Sequence, residues 1–327
     1  AILLCIIFDT NTPLMKILWF GKNGQSGWEL QRPLSLLGDL IATDSSTQDV
    51  HICGDLRNLE GIRRTILHLR PDVIVNAAAY TDVDGAEDDP RLADLLNHQA
   101  PAVMAEAAKD IKALLVHYSS DYVFRGSGQY ARGETAAVDP INVYGQSKLK
   151  GEIAVRASGC RHLIFRTSWV YSTRRQNFLK TILRLAATQE SFGVVADQFG
   201  SPTSAELIAD VTAGAIHMGH GRKRLSGLYH LSATGSTNWY EYACFAVEAA
   251  RLLGAPLCIP SPMAIKALGS QDYPSRAQRP GNSRLDCSKL MNTFHLRMPD
   301  WKIGVARTVR ELVEVSAEDP FQLAKKP

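Results

Sequence analysis

Three short segments of the sequence carry residue types that could do chemistry together. Gly21-Lys22-Asn23-Gly24-Gln25-Ser26-Gly27 has the spacing G-x-x-G-x-x-G after an apolar run. Glycines there let backbone come close to a pyrophosphate, and a helix opening at that point offers free N–H groups and a positive dipole end. The common dinucleotide spacing is G-x-G-x-x-G, so this is a variant whose meaning depends on its context. Ser119-Ser120-Asp121 follows a second apolar run, and Tyr144-Gly145-Gln146-Ser147-Lys148 begins 24 residues after Ser120. The Y-x-x-x-K spacing puts a phenol and an ammonium on one helical face, one turn apart. A nearby ammonium favours the phenolate and is expected to lower the Tyr144 pKa toward neutrality. Such a phenol can give a proton to a carbonyl oxygen as hydride arrives, while the Ser120 hydroxyl holds that oxygen. A lone Y-x-x-x-K is common by chance; combined with Ser120 and the glycine turn it is specific.

The elements that must position these residues alternate. Strands are expected at Lys16–Phe20, Leu40–Thr43, Asp72–Asn76, Ala113–His117 and His162–Arg166, and helices at Gln25–Leu37, Leu59–Leu69, Arg91–Lys109 and Val143–Ala157. Short, continuously apolar strands between amphipathic helices predict an α/β fold, a Rossmann-type doubly wound parallel sheet. In such sheets ligands bind outside the carboxyl ends of the strands, where all three segments fall. Asp44 ends the second expected strand, 17 residues after Gly27. An acid there would accept from adenosine ribose hydroxyls, which favours NAD; it could also simply cap the Ser45-Ser46 turn. Lys22 could instead meet a 2′-phosphate, which leaves NADP open. Beyond Ser168 the alternation weakens and glycines and prolines cluster at 200–202, 254–262 and 274–281. We therefore expect a dinucleotide-binding unit over residues 15–167, a smaller C-terminal substrate-binding lobe over 168–316 and a tail over 317–327. The lobe should interleave with the sheet through a strand at Leu228–Leu231.

Composition narrows the classes. With 45% hydrophobic and 21% charged residues in 327, the chain can bury a sizeable core. Net charge is +3, with acids and bases mixed, and the longest basic cluster is Gly221-Arg222-Lys223-Arg224, so no nucleic-acid partner is expected. No run of 18 apolar residues suggests a membrane span. Six scattered cysteines without CxxC suit a reduced, cytoplasmic protein and argue against structural zinc. Residues 1–14 contain the apolar run Ile2–Phe8 but no basic flank or cleavage site, so a signal peptide is a weak reading. We expect them to be extra sequence ahead of a natural start at Met15.

The motifs together resemble the extended short-chain dehydrogenase/reductases, and more closely the dTDP-4-dehydrorhamnose reductase family. The similarity runs from Met15 to about Leu312. It is carried by the glycine turn, Gly54-Asp55-Leu56, Pro71-Asp72-Val73-Ile74-Val75-Asn76-Ala77-Ala78-Ala79-Tyr80-Thr81 and Tyr118-Ser119-Ser120-Asp121-Tyr122-Val123-Phe124. Tyr144-Gly145-x-Ser147-Lys148-Leu149-x-Gly151-Glu152 continues it. Arg166-Thr167-Ser168-Trp169-Val170-Tyr171, Asp197-Gln198-x-Gly200-x-Pro202-Thr203 and Arg279-Pro280-x-Asn282-Ser283-x-Leu285 separate this family from generic sugar-nucleotide epimerases. Ser120 stands where the family usually has Thr, which keeps the hydroxyl. Arg125 replaces the usual Asp or Pro before Gly126.

The resemblance implies an NADPH- or NADH-dependent oxidoreductase that reduces the C4 keto group of dTDP-4-dehydro-β-L-rhamnose. That is the last step toward dTDP-β-L-rhamnose, a cell-surface polysaccharide precursor. It implies that Tyr144, Lys148 and Ser120 are catalytic. Gly21, Gly24, Gln25, Ser26 and Gly27 would hold the cofactor diphosphate, Asp44 the ribose, and Asp55 and Leu56 would flank the adenine. Ala79, Tyr80, Thr81 and Tyr118 would line the cofactor, with Lys148 on the nicotinamide ribose. Ser120, Asp121, Trp169 and Arg279 would meet the substrate. Packing alternatives stand beside several of these: Trp169 as core, Asp121 as a turn former, Arg279 as a structural cation. The resemblance also implies a homodimer and Mg²⁺ at Glu29 and Glu206, although two helical glutamates are more often a solvated face. Related activities compete: a 4-epimerase, a reductase of opposite stereochemistry, or a non-catalytic regulatory subunit of the same fold. The intact Tyr144/Lys148/Ser120 set argues against the last.

Overall fold

The computed structural model describes residues 14–47 and 49–318. The expectations for residues 1–13 and for the end of the tail lie outside the described residues. Strand β1 (Met15–Phe20), helix α1 (Gln25–Ser35), β2 (Gly38–Thr43), α2 (Leu59–Leu69) and β3 (Val73–Asn76) come first. Helices α3 (Val83–Asp88) and α4 (Pro90–Asp94), a π-helical turn (Leu95–Gln99) and α5 (Ala100–Ile111) lead to β4 (Leu114–Ser120), α6 (Val143–Ser158) and β5 (Arg161–Thr167). Then come β6 (Val170–Tyr171), α7 (Phe178–Thr188), β7 (Phe192–Val195), β8 (Phe199–Gly200), β9 (Thr203–Ser204) and α8 (Ala205–Gly219). The chain finishes with β10 (Gly227–His230), β11 (Thr237–Asn238), α9 (Trp239–Leu252), β12 (Ile265–Leu268), α10 (Ser288–Phe294) and α11 (Trp301–Glu318).

Six strands form one parallel sheet in the order β10-β5-β4-β3-β1-β2. The continuous apolar runs are explained by burial on both faces. Ile17, Trp19, Val73, Val75, Leu114, Val116, Leu163 and Phe165 face α1 and α8, through Leu30, Leu34, Ile208 and Ile216. The alternate residues Leu18, Phe20, Ile74, Leu115 and Ile164 face α2, α5 and α6, through Ile62, Ile66, Met104 and Val155. Each such side chain contributes about 1.5–3 kcal/mol when fully buried. The chain reverses direction across the sheet between β1 and β3, which opens a crevice at their carboxyl ends. The strand expected near Leu228 is β10, hydrogen-bonded to β5, so the second half of the chain completes the sheet edge.

Beyond the sheet, α7, α9 and α11 pack around Tyr171, Leu179, Tyr242, Trp301, Val305 and Val309. The parallel pair β7/β12 closes a further apolar cluster around Ile182, Val194, Val247 and Ile265. Among the described residues no helix is long and apolar enough to cross a membrane. Cys53, Cys160, Cys244, Cys258 and Cys287 are all free thiols.

Helix ends follow local chemistry. The Asn58 side chain caps α2 by accepting from Gly61 N–H at 2.9 Å, and Asn142 caps α6 by accepting from Gly145 N–H at 2.7 Å. Helix α6 ends at Gly159, whose φ of +75° closes it. One expected helix differs. Arg91–Lys109 is broken by the π-helical turn, where Ala100 N–H reaches back to Leu95 C=O. Pro101 has no N–H to give the Asn97 carbonyl, so α-helical bonding cannot run through this point.

That break creates a close approach. A Cβ on Gly151 of α6 would lie 2.1 Å from the Asn97 carbonyl oxygen, which is backbone and cannot give way easily. In an exposed helix, Gly→Ala gains about 1 kcal/mol from propensity. Gly151→Ala should instead destabilise by about 1–3 kcal/mol through overpacking. Thermal unfolding should show a melting point several degrees lower; a rise would mean that the helix contact is looser than described.

Candidate active site

The glycine turn joins β1 to α1 at the crevice. Gly21 has φ +87°, and a Cβ there would come within 2.8–2.9 Å of the Ala77 and Ala78 backbone. A Cβ on Gly27 would lie 1.9 Å from the Gly21 carbonyl oxygen. Gly24 is the N-cap of α1 with no side-chain cap, and the first turn carries no acid. The opening N–H groups of this eleven-residue helix, from Gln25, Ser26 and Gly27, are therefore available to an anion. Gln25 Oε1 turns away, accepting from Ser172 Oγ at 3.2 Å and Asn177 Nδ2 at 2.9 Å, which ties the turn to the chain beyond β6.

Asp44 sits at the end of β2 as expected, but its carboxylate is already engaged. Oδ1 accepts from Ser46 N–H at 2.9 Å, Ser46 Oγ at 2.6 Å and Thr47 Oγ1 at 3.0 Å. Oδ2 accepts from Asn23 Nδ2 and lies 3.7 Å from Lys22 Nζ. The Ser46 hydroxyl leads in holding its pKa below the usual carboxylate range. Asp55 is gripped by Arg57, whose Nη2 donates at 2.8 Å, and Leu56 beside it is buried. The Ala79-Tyr80-Thr81 segment follows β3. Asn97 clamps it: Tyr80 N–H donates to Asn97 Oδ1 at 2.9 Å, and Asn97 Nδ2 donates to Tyr80 C=O at 3.0 Å and to Ser147 Oγ at 3.0 Å.

Strand β4 brings Tyr118, Ser120 and Asp121 to the same edge. Ser120 Oγ donates to Asp121 Oδ1 at 3.0 Å and accepts from Tyr122 N–H at 3.1 Å. Burial pushes Asp121 up to about 6, against hydrogen bonds from Ser283 and Ser120. Its Oδ2 is buried without a hydrogen-bond partner. The Tyr118 hydroxyl bonds Thr212 Oγ1 at 2.8 Å. Helix α6 lays Tyr144 and Lys148 against these residues. The Tyr144 ring meets Tyr122 edge to face, with centroids 5.7 Å apart. Lys148 Nζ donates to the Tyr118 carbonyl at 2.6 Å.

The expected depression of the Tyr144 pKa is corrected by these surroundings. Burial pushes the phenol up to about 12, opposed by its hydrogen bond with Ser120 and reinforced by the charge of Asp121. Desolvation dominates, and the nearby negative charge works against a second one. Lys148 is lowered to about 8, first by burial, with Glu152 acting in the opposite direction. A phenol kept protonated by burial and hydrogen-bonded to a hydroxyl is a proton donor at neutral pH.

The remaining expected residues are less uniformly placed. Trp169 stacks on Trp239 at 3.5 Å and packs against Gly200, where a Cβ would meet the ring at 2.6 Å. Arg279 donates to both Asp84 oxygens, at 3.0 and 2.7 Å, so its charge is balanced inside the protein. Burial raises the pKa of Glu29, with the charge of Glu206 adding to it, and burial also raises Glu206, opposed by Arg307. Arg307, however, bridges Glu206 and Glu311 at 3.2 Å each. Among the described residues no group of three or more His, Cys, Asp or Glu forms a metal-ligand set. A guanidinium already serves as counter-ion, so these residues do not fit a Mg²⁺ centre and no step is routed through one.

Two features of the site were missed in the sequence. Asn97 carried a readable signal, lying four residues before Pro101 in an otherwise helical run. The other is a buried ion pair beneath α6: Arg166 donates to both oxygens of Glu152, at 2.8 and 2.7 Å. Glu152 is one turn beyond Lys148, but nothing local marks Arg166 as its partner.

Comparison with known proteins places this geometry. The family model described as RmlD substrate binding domain matches residues 15–314. The dTDP-4-dehydrorhamnose reductase of Escherichia coli strain K12 is 49% identical over 303 residues, covering 93% of this chain and 100% of the relative. That of Burkholderia thailandensis is 42% identical, covering 91% and 99%. The crystal structure of dTDP-4-dehydrorhamnose reductase from Bacillus anthracis in complex with NADP superposes with a TM-score of 0.80 at 32% identity, covering 91% of this chain and 99% of that one. A Thermus thermophilus UDP-glucose 4-epimerase complex with NAD, at 18% identity and TM-score 0.73, shares the fold. The chain therefore belongs to the RmlD family, and its Escherichia coli and Burkholderia thailandensis relatives, matched over nearly their whole length, are dTDP-4-dehydrorhamnose reductases.

Proposed function

We propose that this protein uses a reduced nicotinamide dinucleotide to convert the C4 ketone of dTDP-4-dehydro-β-L-rhamnose to the alcohol of dTDP-β-L-rhamnose. The observation that carries this reading is the convergence of Ser120, Tyr144 and Lys148 at the carboxyl end of β4, next to the β1/β3 crevice. The crevice fits a dinucleotide: Gly21 and Gly27 let the turn fold tightly against its own backbone and that of Ala77–Ala78, where a Cβ would clash, and α1 points its uncapped N-terminus into the crevice. When bound, the cofactor supplies a hydride to the carbonyl carbon.

The chain's own residues do the rest. Tyr144 donates its phenolic proton to the carbonyl oxygen as negative charge develops there. Ser120 holds the same oxygen by turning its single hydroxyl proton from Asp121 Oδ1 to the substrate, while Tyr122 N–H keeps Oγ in place. Lys148 faces the cofactor side with the ammonium protons left over from its bond to Tyr118 C=O, and it stabilises the phenolate after transfer. Trp169, Asp121 and Arg279 border the sugar and nucleotide side, Arg279 exchanging part of its contact with Asp84 for phosphate. Asp44 and Lys22, 3.7 Å apart, put a ribose acceptor and a phosphate counter-ion at one end of β2. That favours use of both NADH and NADPH.

Replacing Tyr144 by Phe removes the proton donor and keeps the ring. Turnover should fall by roughly 10²–10⁴-fold while cofactor affinity stays close to wild type. Ser120→Ala should cost less, Ser120→Thr should be near neutral, and Lys148→Met should weaken both turnover and cofactor binding. Stopped assays with enzymatically made substrate, and NMR identification of the product, check all four; wild-type turnover in Tyr144→Phe would remove Tyr144 from the mechanism. For the cofactor, steady-state kinetics with each reductant should differ in kcat/KM by less than a hundredfold, about 2.7 kcal/mol. A larger bias would show that one of Asp44 and Lys22 decides alone.

A further inference from the structure

Two opposite charges lie in the dry interior beneath the catalytic helix. The side chains of Glu152 and Arg166 are 0% and 2% exposed. Taking two ions out of water costs several kcal/mol each, and such pairs often return no net stability. Here the hydrogen bonding is complete around the carboxylate. Glu152 Oε1 accepts from Ser119 Oγ at 2.5 Å and from Arg166 Nε at 2.8 Å, and Oε2 accepts from Arg166 Nη2 at 2.7 Å. Arg166 is also braced, with Nη1 3.4 Å from His230 Nε2 and its guanidinium 5.0 Å from the Phe124 ring centroid.

The placement links three parts of the site. Tyr144, Lys148 and Glu152 recur every four residues and share one face of α6. Ser119 is the neighbour of Ser120 on β4 and stands in register with Arg166 on β5. We propose that the Glu152–Arg166 pair is a positioning device for the reaction: it ties the Tyr144/Lys148 face of α6 to Ser119–Ser120 and supplies the negative charge that Lys148 faces. This rests on the catalytic roles given above to Tyr144, Lys148 and Ser120.

The charges around Lys148 set the direction of the effect. Glu152, on its own helix, favours the ammonium, whereas burial opposes it. His117 approaches from β4, but burial keeps its pKa well below the ordinary value, so it adds no charge at neutral pH. Arg166, from β5, is balanced by Glu152. The mechanism needs Lys148 protonated, so activity is lost as pH rises through its pKa. Removing the Glu152 charge favours neutral Lys148 and moves that loss to lower pH.

The test is the pH profile of kcat/KM for Glu152→Gln in the full-length chain, with Glu152→Asp and Tyr144→Phe measured beside it. Glu152→Gln should move the alkaline limb acidward by about one pH unit. It should also lower kcat at pH 7 by about tenfold or more, with KM little changed. Glu152→Asp should return the limb toward wild type. Where Glu152→Gln does not fold by circular dichroism, Glu152→Gln/Arg166→Met leaves no lone buried charge; with both opposed charges gone the limb should still move acidward but by less, and no movement overturns the proposal. A folded variant whose limb stays in place or moves alkaline overturns the proposal, even with a lower rate, because loss of packing alone admits water to Lys148 and moves its titration to higher pH, not lower. Turnover surviving in Tyr144→Phe would instead sink the catalytic reading on which the pair depends.

Discussion

A parallel sheet buried on both faces leaves the chain little freedom in where it can place chemistry. Every connection between parallel strands must cross over one face, so helices cover both sides and the strand ends alone remain open. The alternation of Ile17, Trp19, Val73 and Val75 with Leu18, Phe20 and Ile74 commits the strands to this arrangement. The glycine turn, the Ala79–Thr81 segment and Ser120 then emerge side by side because β1, β3 and β4 are neighbours. The crevice between β1 and β3 is where the crossover changes direction, and α1 opens directly into it.

The helix that carries Tyr144 and Lys148 cannot be held by apolar contact alone, because one of its faces is polar. It is held instead by close backbone approach and by buried polar bonds. Gly151 lets α6 meet the Asn97 carbonyl, from which Pro101 withholds the ordinary i+4 N–H. Asn97 then spends its side chain on Tyr80 and Ser147, so one residue joins the Ala79–Thr81 segment to α6. The Glu152–Arg166 pair anchors the far end of the same face to β4 and β5. The Asn97–Ser147 and Glu152–Arg166 bonds are buried and the Asn97–Tyr80 bonds partly so; an unmade partner there costs about 1–3 kcal/mol, so they specify one seating of the helix.

The fold was largely legible in the sequence. Strands and helices on the sheet agree with the expected ranges to within a few residues, because apolar runs and Asn or Gly caps are local signals. The break at Leu95–Gln99 was not read, although Pro101 marked it, because helical periodicity continues on both sides. The candidate residues were legible as types and spacing. Their protonation was not: the Y-x-x-x-K spacing predicts a lowered phenol, whereas the folded site raises it, because desolvation is a property of everything packed around Tyr144. Likewise, the sequence offers Arg279 as a substrate contact or a structural cation and Glu206 as a Mg²⁺ position or a solvated face, and in the fold they pair with Asp84 and Arg307.

What the sequence determined by itself is the parallel α/β framework, the glycine cradle, and the Ser120, Tyr144 and Lys148 set on its carboxyl edge. These follow from periodicity, caps and short-range spacing, all of which act over a few residues. The tertiary structure alone decided which charges are spent internally and which face the crevice, and how strongly burial shifts Tyr144, Lys148 and Asp121. Ion pairing and desolvation depend on neighbours 14 residues away for Glu152 and Arg166, and 195 away for Asp84 and Arg279. No local pattern can encode which distant side chain will remove water from a given group.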